Sequence, residues 1–197
     1  MTPPNSPTVA PATGRLGVLT VGLGAVASTL IAGVELVKRG VSSPVGSLTQ
    51  MGTIRLGKRT ENRNPLIKDF VPLANLEDIV FGAWDPFPDD AYVAATRAGV
   101  LEGGKHIEAV ADALREVRPM PAAFDREYVK RIDAENTMHT VDKRSMLNAI
   151  RADINKFREE KQVDRVVMIW CASTEIFIEP GPAHQNIEAF EAAIDAN

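Results

Sequence analysis

Between Arg15 and Lys38 the hydrophobic pattern changes period once, and the change falls on a pair of glycines. Leu16–Val21 (LGVLTV) is a short, mostly apolar run of strand length. Ala25–Lys38 instead sets its apolar residues at helical spacing. Gly22-x-Gly24-x-x-Ala27 joins the two. A strand, a tight glycine turn and a helix in that order are how a parallel α/β sheet offers backbone N–H groups to a pyrophosphate. The first glycine permits the turn, and the second lets the backbone approach the phosphates. The small third residue lets the helix lie close to the strand. The helix dipole adds to the attraction for an anion, and Ser28 and Thr29 can add hydroxyl donors.

Leu16–Val37 carries one charge, Glu35, and a bilayer span needs about 20 apolar residues. Glycines at 17, 22, 24 and 33 disfavour one continuous spanning helix. Residues 1–13 are proline-rich with no charged side chain, so the basic start of a signal peptide is missing. The α/β pattern that follows also needs a first strand. No membrane partner is expected, residues 1–14 read as a disordered tail, and a cytoplasmic location is expected.

Further along, Ile79–Trp84 (IVFGAW) is a strand ending at Asp85, and Pro86 and Pro88 break the chain beyond it. Residues 40–75 between the first helix and this strand read as an insertion holding at most short strands, such as Ile54–Leu56. Helices are predicted over Ala91–Ala98 and over Leu101–Val117, with Leu101, Ile107, Val110 and Leu114 on one face. Arg118–Ala123 is extended, Asp125–Asp133 reads as a short helix, and Asp142–Lys161 as a long amphipathic one. Arg165–Cys171 (RVVMIWC) has the look of a buried parallel strand, and Gln185–Asp195 starts a last helix. The fold class is therefore α/β: a Rossmann-like, doubly wound, mainly parallel sheet with helices on both faces. One domain over residues 15–197 accounts for all of it.

Composition narrows the chemistry. With 22 Lys and Arg against 26 Asp and Glu in 197 residues, the net charge is −4, which argues against a nucleic-acid partner. One cysteine excludes an intramolecular disulfide framework. The three histidines, His106, His139 and His184, stand in no metal-ligand spacing, so no metal is expected. Asp89-Asp90 reads as helix-start acids, and Lys143, Arg144 and Arg151 as a solvated helix face.

A dinucleotide site also needs a carboxylate at the end of the second strand to accept the ribose hydroxyls. With residues 40–75 set aside, that acid is Asp85. A carboxylate there repels a 2′-phosphate, so NAD is favoured over NADP. Ligands of open parallel sheets lie beyond the strand carboxyl ends. That rule adds Ala122 and Ala123, and the run Cys171-Ala172-Ser173-Thr174, whose small side chains leave room and whose hydroxyls can donate.

These segments resemble inositol-3-phosphate synthase. VGLGAVASTLIAGV, VGSLTQ (45–50), IRLG (54–57), GAWD (82–85), VLE (100–102), RPMP (118–121), IRADINKFREEK (150–161) and VVMIWCASTEIFIEPGP (166–182) occur in that family's order. The resemblance implies an NAD-dependent isomerase that converts D-glucose 6-phosphate to 1D-myo-inositol 3-phosphate by internal oxidation, aldol cyclisation and reduction. It places cofactor contacts at Gly22, Gly24, Ala25, Val26, Asp85, Ala122, Cys171, Ala172, Ser173 and Thr174. Ala25-Val26 departs from the longer asparagine-bearing turn of many eukaryotic members, and Asp133 and Asn136 stand where the family has Gln and Arg contacts, so neither takes a role by transfer. The resemblance further implies a homotetramer, and a lysine-rich catalytic and oligomerisation half that is expected to be absent here. No catalytic residue is therefore expected in this chain, glucose 6-phosphate would bind only with that half, and no turnover is expected from this chain alone. The alternative is a non-catalytic nucleotide-binding or subunit-pairing module from a truncated paralogue.

Overall fold

A computed structural model describes residues 13–196. Most of the expected tail, residues 1–12, lies outside the described residues. In chain order the elements are β1 (Leu16–Val21), α1 (Ala25–Lys38), α2 (Leu48–Met51), α3 (Ile67–Phe70), β2 (Ile79–Asp85), α4 (Ala91–Ala98), α5 (Ala111–Glu116), β3 (Met120–Pro121), α6 (Lys143–Lys161), β4 (Arg165–Trp170) and α7 (Ile187–Asp195).

The four strands form one parallel sheet in the order β3-β2-β1-β4. β1 is central: Leu16 faces Ile79 on one side and Arg165 on the other, and the register runs unbroken to Val21, opposite Trp84 and Trp170. All strands therefore end on the same side, so the glycine turn, Asp85 and Cys171 share one edge of the sheet.

Alternation along the strands sorts side chains onto two faces. Val18, Phe81 and Ala83 pack with Ile31 and Leu36 of α1, Ala95 of α4 and Leu114 of α5. Leu19 and Trp84 pack on the opposite face with Phe157 of α6 and with Val163. Ile31 and Leu114 are fully buried, and each such side chain stabilises the fold by about 1.5–3 kcal/mol. Helices thus cover both faces, as the α/β pattern predicted. Gly17 and Gly82 form the floor on which Phe157 rests; a Cβ at Gly82 would lie 2.8 Å from both Leu19 and Phe157.

Four expectations need correction. Leu101–Val117 is not one helix: Gly103–Ile107 is a π-turn, Glu108–Val110 is 3-10 and only Ala111–Glu116 is α. The apolar face is as predicted, with Ile107, Val110 and Leu114 buried, but Gly103 and Gly104 at its start have no side chains to favour a regular opening turn. Asp125–Asp133 is a set of turns, because Asp125 spends its carboxylate on the Glu127 amide at 2.8 Å in a local Asx-type turn. Arg165–Trp170 is parallel as expected, but among the described residues it lies at the edge of the sheet and is not buried, with Val167, Met168 and Trp170 exposed. Arg144 also differs from a freely solvated residue, since it pairs with Glu191 at 2.6 Å and Asp195 at 2.7 Å and ties α6 to α7.

Side chains cap three of the four longer helices. Asp90 accepts from the Val93 amide at 3.0 Å, Asp142 from Ser145 at 2.6 Å and Asn186 from Ala189 at 2.8 Å. The Ser145 amide holds the Asp142 carboxyl below its ordinary range. A carboxylate whose pKa is depressed by folding stabilises above its unfolded value and loses that contribution as pH falls through the folded one. Asn caps as well as Asp but does not titrate. Asp142→Asn is therefore expected to shrink the acid-induced fall in the urea midpoint between about pH 7 and about pH 3, with little change at the neutral end.

Candidate functional site

The exception among the longer helices is α1. Gly24 occupies its cap position, no side chain bonds there, and no acidic residue lies in the first turn. The first N–H groups of a helix have no intrahelical acceptor, and here no side chain covers them. The turn that aims them is held from three directions. The Gly22 amide donates to the Trp84 carbonyl at 2.8 Å, and the Leu23 amide to Asp85 Oδ2 at 2.6 Å. The Cys171 amide donates to the Val21 carbonyl at 2.8 Å. Gly22 has φ +98°, and a Cβ there would stand 3.0 Å from the Ala172 amide nitrogen. A Cβ on Gly24 would meet nothing within 4 Å, so that glycine faces open space where an anion can approach the backbone.

A cleft of about 330 Å³ opens over this turn, lined by Gly22, Leu23, Gly24 and Ala25 on one wall. Asp85, Phe87, Asp89 and Arg97 supply a second wall and Cys171–Thr174 a third. A second, more apolar cavity of about 190 Å³ adjoins it, sharing Gly22, Pro86, Ile132, Ala172 and Thr174. Ala122, Trp84 and Trp170 line that second space. The structure therefore brings Gly22, Gly24, Ala25, Asp85, Cys171, Ala172, Ser173 and Thr174 around one opening, with Ala122 in the adjoining cavity. Val26 lines neither, and the residue is 69% exposed. A further cavity of about 360 Å³ lies between α1 and residues 42–50; Thr29, expected as a hydroxyl donor beside the glycine turn, lines this cavity instead of the cleft, and Ser28 is fully buried.

Asp85 has a second task that spacing alone did not reveal. Besides the Leu23 bond, its Oδ1 accepts from the Phe87 amide at 3.0 Å. A carboxylate offers about four acceptor positions, so two protein bonds leave capacity for hydroxyl donors. Asn136 was also missed: its side-chain amide reaches the carbonyls of Asp85 at 3.0 Å and Met120 at 3.3 Å, and its own backbone bonds Pro86 and Ala122. It fastens the ends of β2 and β3 together. No local pattern marks an asparagine for this, because all its partners are distant in sequence. Partial burial pushes the Cys171 thiol up, which disfavours the thiolate, the reactive form. Among the described residues no group of three or more His, Cys, Asp or Glu is placed to hold a metal ion, and no helix is long and apolar enough to cross a membrane.

A parallel β3-β2-β1-β4 sheet with a glycine turn at its central strand and a cleft beyond the strand ends defines a Rossmann-like domain. An NAD-binding family model described as myo-inositol-1-phosphate synthase matches residues 16–197. The chain belongs to that family. Inositol-3-phosphate synthase 1 of Bacteroides thetaiotaomicron is 45% identical over 190 residues, covering 96% of this chain and 43% of the relative. Isozyme 1 of Arabidopsis thaliana is 33% identical over 175 residues, covering 82% and 34%. The crystal structure of inositol-3-phosphate synthase from Caenorhabditis elegans superposes with a TM-score of 0.82 at 25% identity, covering 93% of this chain and 39% of that one. The chain thus spans less than half the length of these relatives.

Proposed function

We propose that this chain holds NAD across the carboxyl ends of β1, β2 and β4, as the cofactor-binding part of an enzyme that makes 1D-myo-inositol 3-phosphate from D-glucose 6-phosphate. The observation that carries the reading is the uncapped start of α1 above an open glycine, with a carboxylate fixed beside it. The pyrophosphate would lie against the amides of Gly24 and Ala25, and Asp85 would accept the adenosine ribose hydroxyls. The Ser173 and Thr174 hydroxyls and the apolar cavity by Trp84 and Ala122 would take the other half of the dinucleotide. NAD held there would supply a hydride acceptor and donor, the chemistry needed to oxidise a sugar hydroxyl and later reduce a ketone.

Among the described residues, those lining the two cavities would bind and orient; they offer little of the charge stabilisation that enolate chemistry requires. Arg97 is the one cationic side chain among those lining the two cavities, and it is already paired. We therefore assign glucose 6-phosphate binding, turnover and assembly into a homotetramer to the longer enzyme, and expect no inositol phosphate from this chain alone. Titration of the purified chain with NAD and with NADP, read by tryptophan fluorescence, tests the proposal. Saturation by NAD with weaker NADP binding is expected. Tighter binding of NADP, or product formed from glucose 6-phosphate by the chain alone, would overturn it.

A further inference from the structure

We infer that Asp89 is a specificity-determining residue for the cofactor: it occupies Arg97 and so denies a 2′-phosphate its counter-charge. The inference rests on the dinucleotide reading above and concerns the adenosine end of the same cleft.

Two carboxylates and one guanidinium stand on the wall beyond β2. Asp85 is committed by its bonds to the Leu23 and Phe87 amides. Asp89 lies just before α4 and Arg97 in its last turn, and Arg97 Nη1 meets Asp89 Oδ2 at 2.8 Å. Ala94 and Ala98 complete that wall with little bulk. Sites of this fold class choose between the two cofactors at this place. A carboxylate on the ribose favours NAD, whereas a free arginine nearby accommodates the extra phosphate of NADP. Here the arginine is present but not free. A 2′-phosphate would meet two negative groups and a cation whose charge is already answered.

The helix cap of α4 is Asp90, through Val93. The Asp89–Arg97 pair is part-exposed, with side-chain exposures of 34% and 67%, and such surface pairs contribute little to stability. Removing the carboxylate should leave α4 folded and release Arg97 into the cleft.

The test is a cycle of three variants of the full chain, Asp89→Asn, Arg97→Ala and the double variant, each titrated with NAD and NADP. Asp89→Asn is expected to raise the affinity of NADP relative to NAD roughly three- to tenfold. The gain should shrink at high salt, where an exposed charge pair is screened, and should be clearly smaller when Asp89→Asn is made in the Arg97→Ala background, where only relief of repulsion is left. An unchanged ratio, or a gain just as large without Arg97, overturns the inference. Those outcomes differ from failure of the dinucleotide reading itself, in which the parent chain would saturate with neither cofactor.

Discussion

Replacing Gly82 with valine should destabilise the domain by about 1–3 kcal/mol or more, a large share of the roughly 5–15 kcal/mol that holds a domain of this kind together. A Cβ at this position would stand 2.8 Å from Leu19 Cδ2 and 2.8 Å from Phe157 Cε2. Neither neighbour has somewhere to go: Leu19 is fully buried and Phe157 is 6% exposed. Valine adds two more carbons to that first contact, so β2 must move away from β1 or α6 must lift off the sheet. A urea titration followed by circular dichroism measures the loss. Steric origin has its own signature. Phe157→Ala alone should cost about 3–5 kcal/mol, yet cost much less in the valine background, since the smaller side chain makes room. Additive losses in the double variant would refute the packing argument.

That glycine also illustrates what could be read from the chain and what could not. The β1–turn–α1 unit was legible because its evidence is local: a change of hydrophobic period with glycines at the joint. The end of β2 at Asp85 and the long helix α6 behind Asp142 were legible for the same reason. Gly82 reads locally as a weak point in a strand, and only the packed structure gives it a purpose, as the seat of a phenylalanine 75 positions later.

Errors arose wherever a distant contact or a backbone detail decided the outcome. The residues of β4 have the composition of an interior strand, and their place at the sheet edge depends on pairing that no window of sequence contains. The residues from Gly103 to Glu116 keep the helical burial of Ile107, Val110 and Leu114 while passing through three kinds of helix. Periodicity reports which face is buried, and it is nearly blind to the hydrogen-bond pattern that achieves it. Within the site, spacing and topology located Asp85, but not the amides that it holds. Asn136 and Arg97 carried no readable signal for these roles, and Asp89 read only as a helix-start acid, because each acts through a partner on another turn or another strand end.

Asp85→Ala is the substitution expected to damage the site most, lowering NAD affinity about 10- to 100-fold. Two losses combine. The ribose hydroxyls lose a charged acceptor, and hydrogen bonds to charged groups contribute about 1.5–3 kcal/mol each. The glycine turn loses its brace as well, because the 2.6 Å bond from the Leu23 amide and the 3.0 Å bond from the Phe87 amide both end on this carboxylate. Leaving the part-buried Leu23 N–H without a partner should cost about 1–3 kcal/mol of stability, visible as a lower urea midpoint. Asp85→Asn separates the two effects. Its amide oxygen can keep one backbone bond, but its NH₂ group must face the other N–H, so the brace is half broken and the charge is gone. Stability should fall between parent and alanine variant, while discrimination against NADP should weaken in both, since one of the two carboxylates facing a 2′-phosphate has lost its charge while Asp89 still occupies Arg97. If the alanine variant binds NAD as tightly as the parent, the carboxylate serves only the turn, and the ribose must be held elsewhere in the cleft.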